Sequence, residues 1–149
     1  MKRINWKKAE KGQSLVEFSL GLVFILIIVS GLLDLGRLYF THVALEDAVG
    51  EGALYLSINP TCFSPSDGPK CTGINNAQWR IQNSSGASLV DWSKAKITPN
   101  PGPYGVGETV KLKIDYSYSL LTPIIPKIVG LNPITLTSTA SQTVITNLQ

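Results

Sequence analysis

With 149 residues, the chain has room for one small domain and a membrane segment, but not for two large cores. Its net charge of +3 invites a nucleic-acid partner, yet the excess sits in the first twelve residues, where Lys2, Arg3, Lys7, Lys8 and Lys11 face Glu10 alone. From Asp34 onward acidic and basic residues balance, so the charge reads as a basic flank to an apolar helix and excludes nucleic acid as a partner.

The apolar run from Leu15 to Leu33 would span about 28 Å as a helix, close to the roughly 30 Å of a bilayer's hydrocarbon. A cleavable secretory signal normally has an apolar core of about 7–15 residues and a small-x-small site. Here Ser30-Gly31 leads into Leu32-Leu33-Asp34, which favours a retained anchor over residues 13–33. The basic flank orients it with the N-terminus cytoplasmic and the remainder outside.

Glu17 is out of place, because an unpaired carboxylate just inside such a run costs up to a few kcal/mol. It either reaches back to Lys8, Lys11 or the lipid headgroups, or it awaits a cation. Proteolysis between Gly12 and Gln13 would supply one, the new α-amino group of Gln13, with Glu17 four residues along the same helix. Low dielectric strengthens that pairing, and a carboxylate in the first turn suits the positive end of the helix dipole.

Gly12-Gln-Ser-Leu-Val-Glu17-Phe18 resembles the glycine, four residues, Glu-aromatic site cut by prepilin peptidases in type IVb pilins. Leu33-Asp34-Leu35-Gly36-Arg37 and the stretch Ala44 to Ala53 are similar to the TadE-like minor pseudopilins of tight-adherence (Flp) pili. The resemblance covers roughly residues 11–55. It implies that Gly12 is the peptidase-site glycine, Gln13 the mature N-terminus, Glu17 the assembly carboxylate and Phe18 the motif aromatic, with residues 1–12 a cleaved leader. The partners it implies are membrane lipid, the prepilin peptidase, other pilin-like subunits and the tight-adherence inner-membrane machinery. Ser14 and Ser19 replace alanines common in the family, and the span lacks the proline that many members carry.

Over residues 34–58 the pattern turns amphipathic. Ala44, Leu45, Ala48, Val49, Gly52, Ala53 and Leu56 recur at spacings of three and four, placing them on one helix face. Within it, Ala44, Ala48 and Gly52 form a small-residue stripe that can pack under the chain's own domain or against another subunit. Gly50 and Gly52 each cost about 1 kcal/mol of helix propensity, which packing must offset. Glu46, Asp47 and Glu51 lack basic residues four positions on, so their counter-charges are expected from elsewhere, such as Lys94, Lys111 or a partner subunit. Asp34 and Arg37 are expected to pair locally.

Asn59-Pro60 ends the helix, and residues 59–149 form an extracytoplasmic α+β domain. Cys62 and Cys71, in an oxidising compartment, are expected to form a disulfide; free thiols are the alternative. The closed loop of about ten residues would then contribute about 2–3 kcal/mol. Asn75 or Asn76 can cap a short helix over residues 77–82. A strand is expected within residues 88–98, then a Pro/Gly turn region. Val110, Leu112, Ile114, Tyr116, Tyr118 and Leu120 alternate with polar residues, marking a strand with one buried face. Residues 134–145 supply an antiparallel partner, because the connection is too short for a crossover helix. The fold class is therefore α+β: a long membrane-spanning helix whose amphipathic extension packs on an antiparallel sheet of about three strands. The apolar connection, residues 120–131, is expected to pack over the sheet edge or present a tip surface, and Trp79, Trp92 and Tyr104 to anchor core or loops.

No catalytic constellation stands out. One histidine, one cysteine pair and no phosphate-cradling loop point away from an enzyme, a metal site or a cofactor. A structural pilin-like subunit is the leading expectation. The alternative is a single-pass membrane protein whose outer domain binds a ligand or partner without any pilus.

Overall fold

A single α-helix, α1 (Lys7–Ile58), carries the rest of the chain. The computed structural model describes residues 7–102, 104–122, 130 and 133–146, with side chains from Gly12 onward. With no proline between residues 7 and 58, nothing interrupts the backbone ladder, and 52 residues extend about 78 Å. The helix has two environments. From Gly12 to Val29 every residue is exposed, although the stretch is apolar; from Asp34 on, one face is buried. Pro60 cannot continue the ladder, and α1 closes with the Asn59 amide donating to the Tyr55 carbonyl.

Beyond it come α2 (Ala77–Gln82) and three strands, β1 (Ala95–Pro99), β2 (Thr109–Tyr118) and β3 (Ile134–Thr143). They form an antiparallel sheet in the order β1-β2-β3. Ile97 lies opposite Ile114, and Tyr116 opposite Leu136. The period-2 pattern of β2 is realised directly: Val110, Leu112, Ile114, Tyr116 and Tyr118 are buried, and Thr109, Lys111 and Lys113 are exposed. That face meets Leu45, Val49 and Leu56 of α1 and Ile81 of α2 in one core.

Two contacts set how the sheet lies on the helix. At one end, the backbone amides of Leu121 and Thr122, just past β2, donate to the Asp34 carboxylate. At the other, the Ile145 amide, just past β3, donates to the Ser57 carbonyl. Thr109 pairs with Thr143, so β2 runs back along α1 while β3 runs with it. The separation from Asp34 to Ser57 is about 35 Å of helix, matched by about 40 Å of extended strand from Thr109 to Leu121.

Gly52 explains how the helix tolerates its glycine. A Cβ there would sit 2.5 Å from Ile81 Cγ1 and 2.8 Å from Leu112 Cδ2, so α2 and β2 approach α1 where this glycine leaves room for them. Gly50 meets nothing within 4 Å.

The first strand is shorter than its sequence indicates. Residues 87–89 and 92–94 form 3₁₀ turns, and only Ala95–Pro99 pair. Gly86, with φ 77°, breaks the approach, and the Asp91 side chain accepts the Ser93 amide, fixing a local turn where a ladder bond would form. β2 stops at Tyr118 because the chain just past it is drawn to Asp34. Most of the apolar connection, residues 123–129 and 131–132, lies outside the described residues; Leu120 packs against the core and Leu121 is exposed.

Candidate assembly face and membrane-exit site

Gly12, Gln13, Glu17 and Phe18 all lie on the bare part of α1. The Gln13 side-chain amide donates to Glu17 Oε1 at 3.4 Å across one helical turn, so residues 13 and 17 share a face. Phe18 is exposed, and a Cβ on Gly12 would touch nothing within 4 Å. The helix from Gly12 is long and apolar enough to cross a membrane, and its most apolar window makes no burying contact with the domain. A carboxylate therefore sits on an otherwise apolar, uncovered cylinder with a neutral amide as its neighbour.

The small-residue stripe has a different setting. Ala44, Ala48 and Gly52 are buried beneath the chain's own domain, with Gly86 packed on Ala44 and with Ile81 and Leu112 over Gly52. Glu46 meets His42 at 3.7 Å, one turn back on the same helix, rather than a strand lysine. Lys94 is paired with Asp91, and Lys113 with Asp115. Asp47 and Glu51 are exposed and have no basic partner among the described residues.

Asp34 departs furthest from its sequence reading. It forms no ion pair with Arg37; its carboxylate, 2% exposed, accepts the amides of Leu121 (3.2 Å) and Thr122 (3.0 Å) and the Thr122 hydroxyl. The acid at the end of the apolar run is thus a clasp that holds the β2–β3 connection to the helix. Local spacing could not reveal this, because the partners lie 87 and 88 positions away. Asp34→Ala would leave two backbone amides and a hydroxyl seeking other acceptors, at about 1–3 kcal/mol. Hydrogen exchange should show residues 119–122 losing protection while β2 keeps its own; unchanged exchange there would show that the clasp is dispensable.

At the far end of α1, Cys62 and Cys71 are joined in a disulfide with Cα atoms 5.2 Å apart. Asn76, almost fully buried, organises this corner: its side-chain amide donates to the carbonyls of Cys71 and Gly73 at 2.9 Å, and its oxygen accepts the Trp79 amide to cap α2. An open cavity of about 630 Å³ lies beside the disulfide, lined by Tyr55, Asn59, Asp67, Lys70 and Asn75 among others. The Arg80 guanidinium lies 5.5 Å from the Tyr55 ring centre. Trp92 donates from Nε1 to the Ala87 carbonyl and is half-buried, Tyr104 bonds Asn100, and Trp79 is at the surface. Among the described residues, no three His, Cys, Asp or Glu side chains come together to hold a metal ion.

The family model of TadE-like proteins matches residues 12–54. No curated protein and no solved structure matches the chain. The matched stretch begins at Gly12, takes in the bare helix, Glu17 and Asp34, and ends within the core-facing part of α1. The sheet, the disulfide corner and α2 lie outside it. A helix fit to span a bilayer and this family together fit a single-pass membrane protein associated with tight-adherence pili, a structural class of protein. Over its residues 12–54, the chain is similar to the TadE-like proteins of the tight-adherence system.

Proposed function

We propose that the protein is a minor pilin-like structural subunit involved in assembling a tight-adherence pilus, matured by a prepilin peptidase that cuts between Gly12 and Gln13. The observation that carries this reading is a carboxylate on a bare apolar helix, one turn from the residue whose amine the cut would free. Among the described residues, the neighbour of Glu17 is the neutral Gln13 amide. Cutting removes the basic leader and places a positive terminus at residue 13, able to neutralise Glu17 of the same chain or of an adjacent subunit. The N-terminus faces the cytoplasm and the α+β domain lies outside, where the Cys62–Cys71 disulfide is compatible with the compartment. Lipid, the peptidase, the inner-membrane assembly machinery and other pilin-like subunits are its partners.

Intact-mass measurement of the protein extracted from membranes of its own host tests this. A mature chain beginning at Gln13 is expected, and Gly12→Val is expected to leave the leader attached to essentially all molecules. Full-length wild-type protein in cells with an active peptidase would remove the mechanism. The reading of an anchored partner-binding protein without a pilus draws on the cavity beside the disulfide. It requires an uncut leader and indifference to substitution at Gly12, so the same measurement separates the two.

A further inference from the structure

A second site lies where α1 leaves the apolar run. A polar cavity of about 280 Å³ is lined by Arg37, Thr41, Asp91, Lys94, Tyr116 and Tyr118 among others. Adjoining it, and sharing Arg37, Thr41, Ser88 and Leu89, is a cleft of about 300 Å³ to which Phe40 adds an aromatic ring. Phe40 and Leu89 are exposed, at 63% and 57%. The Tyr118 hydroxyl is buried and has no hydrogen-bond partner among the described residues. A buried polar atom of this kind is rare in a native fold and asks for an acceptor. Burial also holds the Tyr118 phenol above its ordinary pKa. Arg37 is exposed and makes no ion pair among the described residues, whereas Lys94 is engaged by Asp91 at 3.3 Å.

Depth supplies the identity of the missing acceptor. Arg37 lies four residues past Leu33, about 6 Å further along the helix. The headgroup layer extends about 5–7 Å beyond the hydrocarbon on each side of a bilayer, so Arg37 stands at headgroup level. A guanidinium binds phosphate oxygens through parallel N–H donors, and a tyrosine hydroxyl adds a third. We propose that this cavity holds the phosphodiester headgroup of a membrane phospholipid, its phosphate bound by Arg37 and the Tyr118 hydroxyl and its glyceryl and upper acyl portion lying along Phe40 and Leu89. The lipid would fix the domain's height and rotation over the bilayer. This rests on α1 being a membrane anchor with the domain outside, and it is independent of leader cleavage and of pili.

The full-length chain in detergent micelles, examined by native mass spectrometry, tests it with dioleoylphosphatidylethanolamine as the probe. Diacylglycerol, which lacks phosphate, and inorganic phosphate are the comparison arms. Wild-type protein is expected to retain the phospholipid, to retain no diacylglycerol, and to keep its lipid in the presence of inorganic phosphate. Tyr118→Phe and Arg37→Gln are each expected to lower retention about tenfold, the loss of one charge-assisted hydrogen bond. Tyr118→Phe removes a hydroxyl without a partner among the described residues, so its melting temperature should not fall and lost retention cannot be ascribed to unfolding. Equal retention in wild type and both variants overturns the proposal, as does equal capture of diacylglycerol or displacement of the lipid by inorganic phosphate. Wild-type protein that washes off membranes at high pH would overturn the anchor itself, a failure distinct from that of the cavity.

Discussion

Glu17→Ala is expected to leave the protein in the membrane and to remove it from assemblies with other pilin-like subunits. Insertion should be unimpaired, because replacing a carboxylate by a methyl group lowers the cost of placing α1 in hydrocarbon. The domain should be untouched: Glu17 is exposed and bonds the Gln13 side chain, more than four helical turns from Asp34. Under the proposed cut after Gly12, what is lost is the charge that would pair with the new terminus at residue 13. In low dielectric that pair is worth more than the 0–1 kcal/mol of an exposed one, so recovery of the variant with its partners should fall about tenfold or more. Glu17→Gln keeps the shape and drops the charge, and should behave as the alanine does. Pull-down of the tagged chain from its own host, with membrane content measured in parallel, reads both quantities. Normal recovery of either variant with pilin-like partners would remove the paired-charge role.

Gly52→Val should have the largest effect on stability. All three nearest atoms to a Cβ at this position, from Ile81 and Leu112, fall at 2.5–2.8 Å, and both residues are fully buried. A branched side chain must push α2 or β2 away from the helix, and overpacking of this kind costs about 3 kcal/mol. For a domain of this size that lowers the melting temperature by roughly 10 °C. Gly52→Ala should be milder, since it regains about 1 kcal/mol of helix propensity. Ile81→Ala, destabilising alone by about 2–5 kcal/mol, should cost much less in the Gly52→Val background because the shortened side chain makes room. Melts followed by tryptophan fluorescence would detect this, Trp92 being half-buried in the domain. Strict additivity of the two substitutions would mean that the contact does not set the helix–sheet distance.

The parts of the fold legible in the sequence are those governed by neighbours in the chain. The alternation from Val110 to Tyr118, the stop at Asn59-Pro60 and a cap at Asn75 or Asn76, which falls to Asn76, each depend on spacings of one to four residues. The apolar run was readable for the same reason. What spacing could not reveal depended on the distant chain. Gly52 signalled a helix fault until Ile81 and Leu112 arrived to occupy the space. Asp34 and Arg37, three residues apart, looked like partners, but the carboxylate turned to amides supplied from beyond β2. The first strand was misjudged at its start because Gly86 and the Asp91–Ser93 turn compete locally with pairing. The cavity at Arg37 was hidden altogether, since its walls come from α1, residues 88–94 and the end of β2.

The clasp at Asp34 and the bond from Ile145 to Ser57 fix both ends of the sheet along one stretch of helix, with β2 and β3 lying lengthwise on it. Tension entering through the bare N-terminal half of α1 therefore loads this contact as a lap joint rather than as a peel. Sliding must strip Leu45, Val49 and Leu56 from their seats together instead of one by one. A chain so built can transmit a pull along its helix while the sheet domain stays folded.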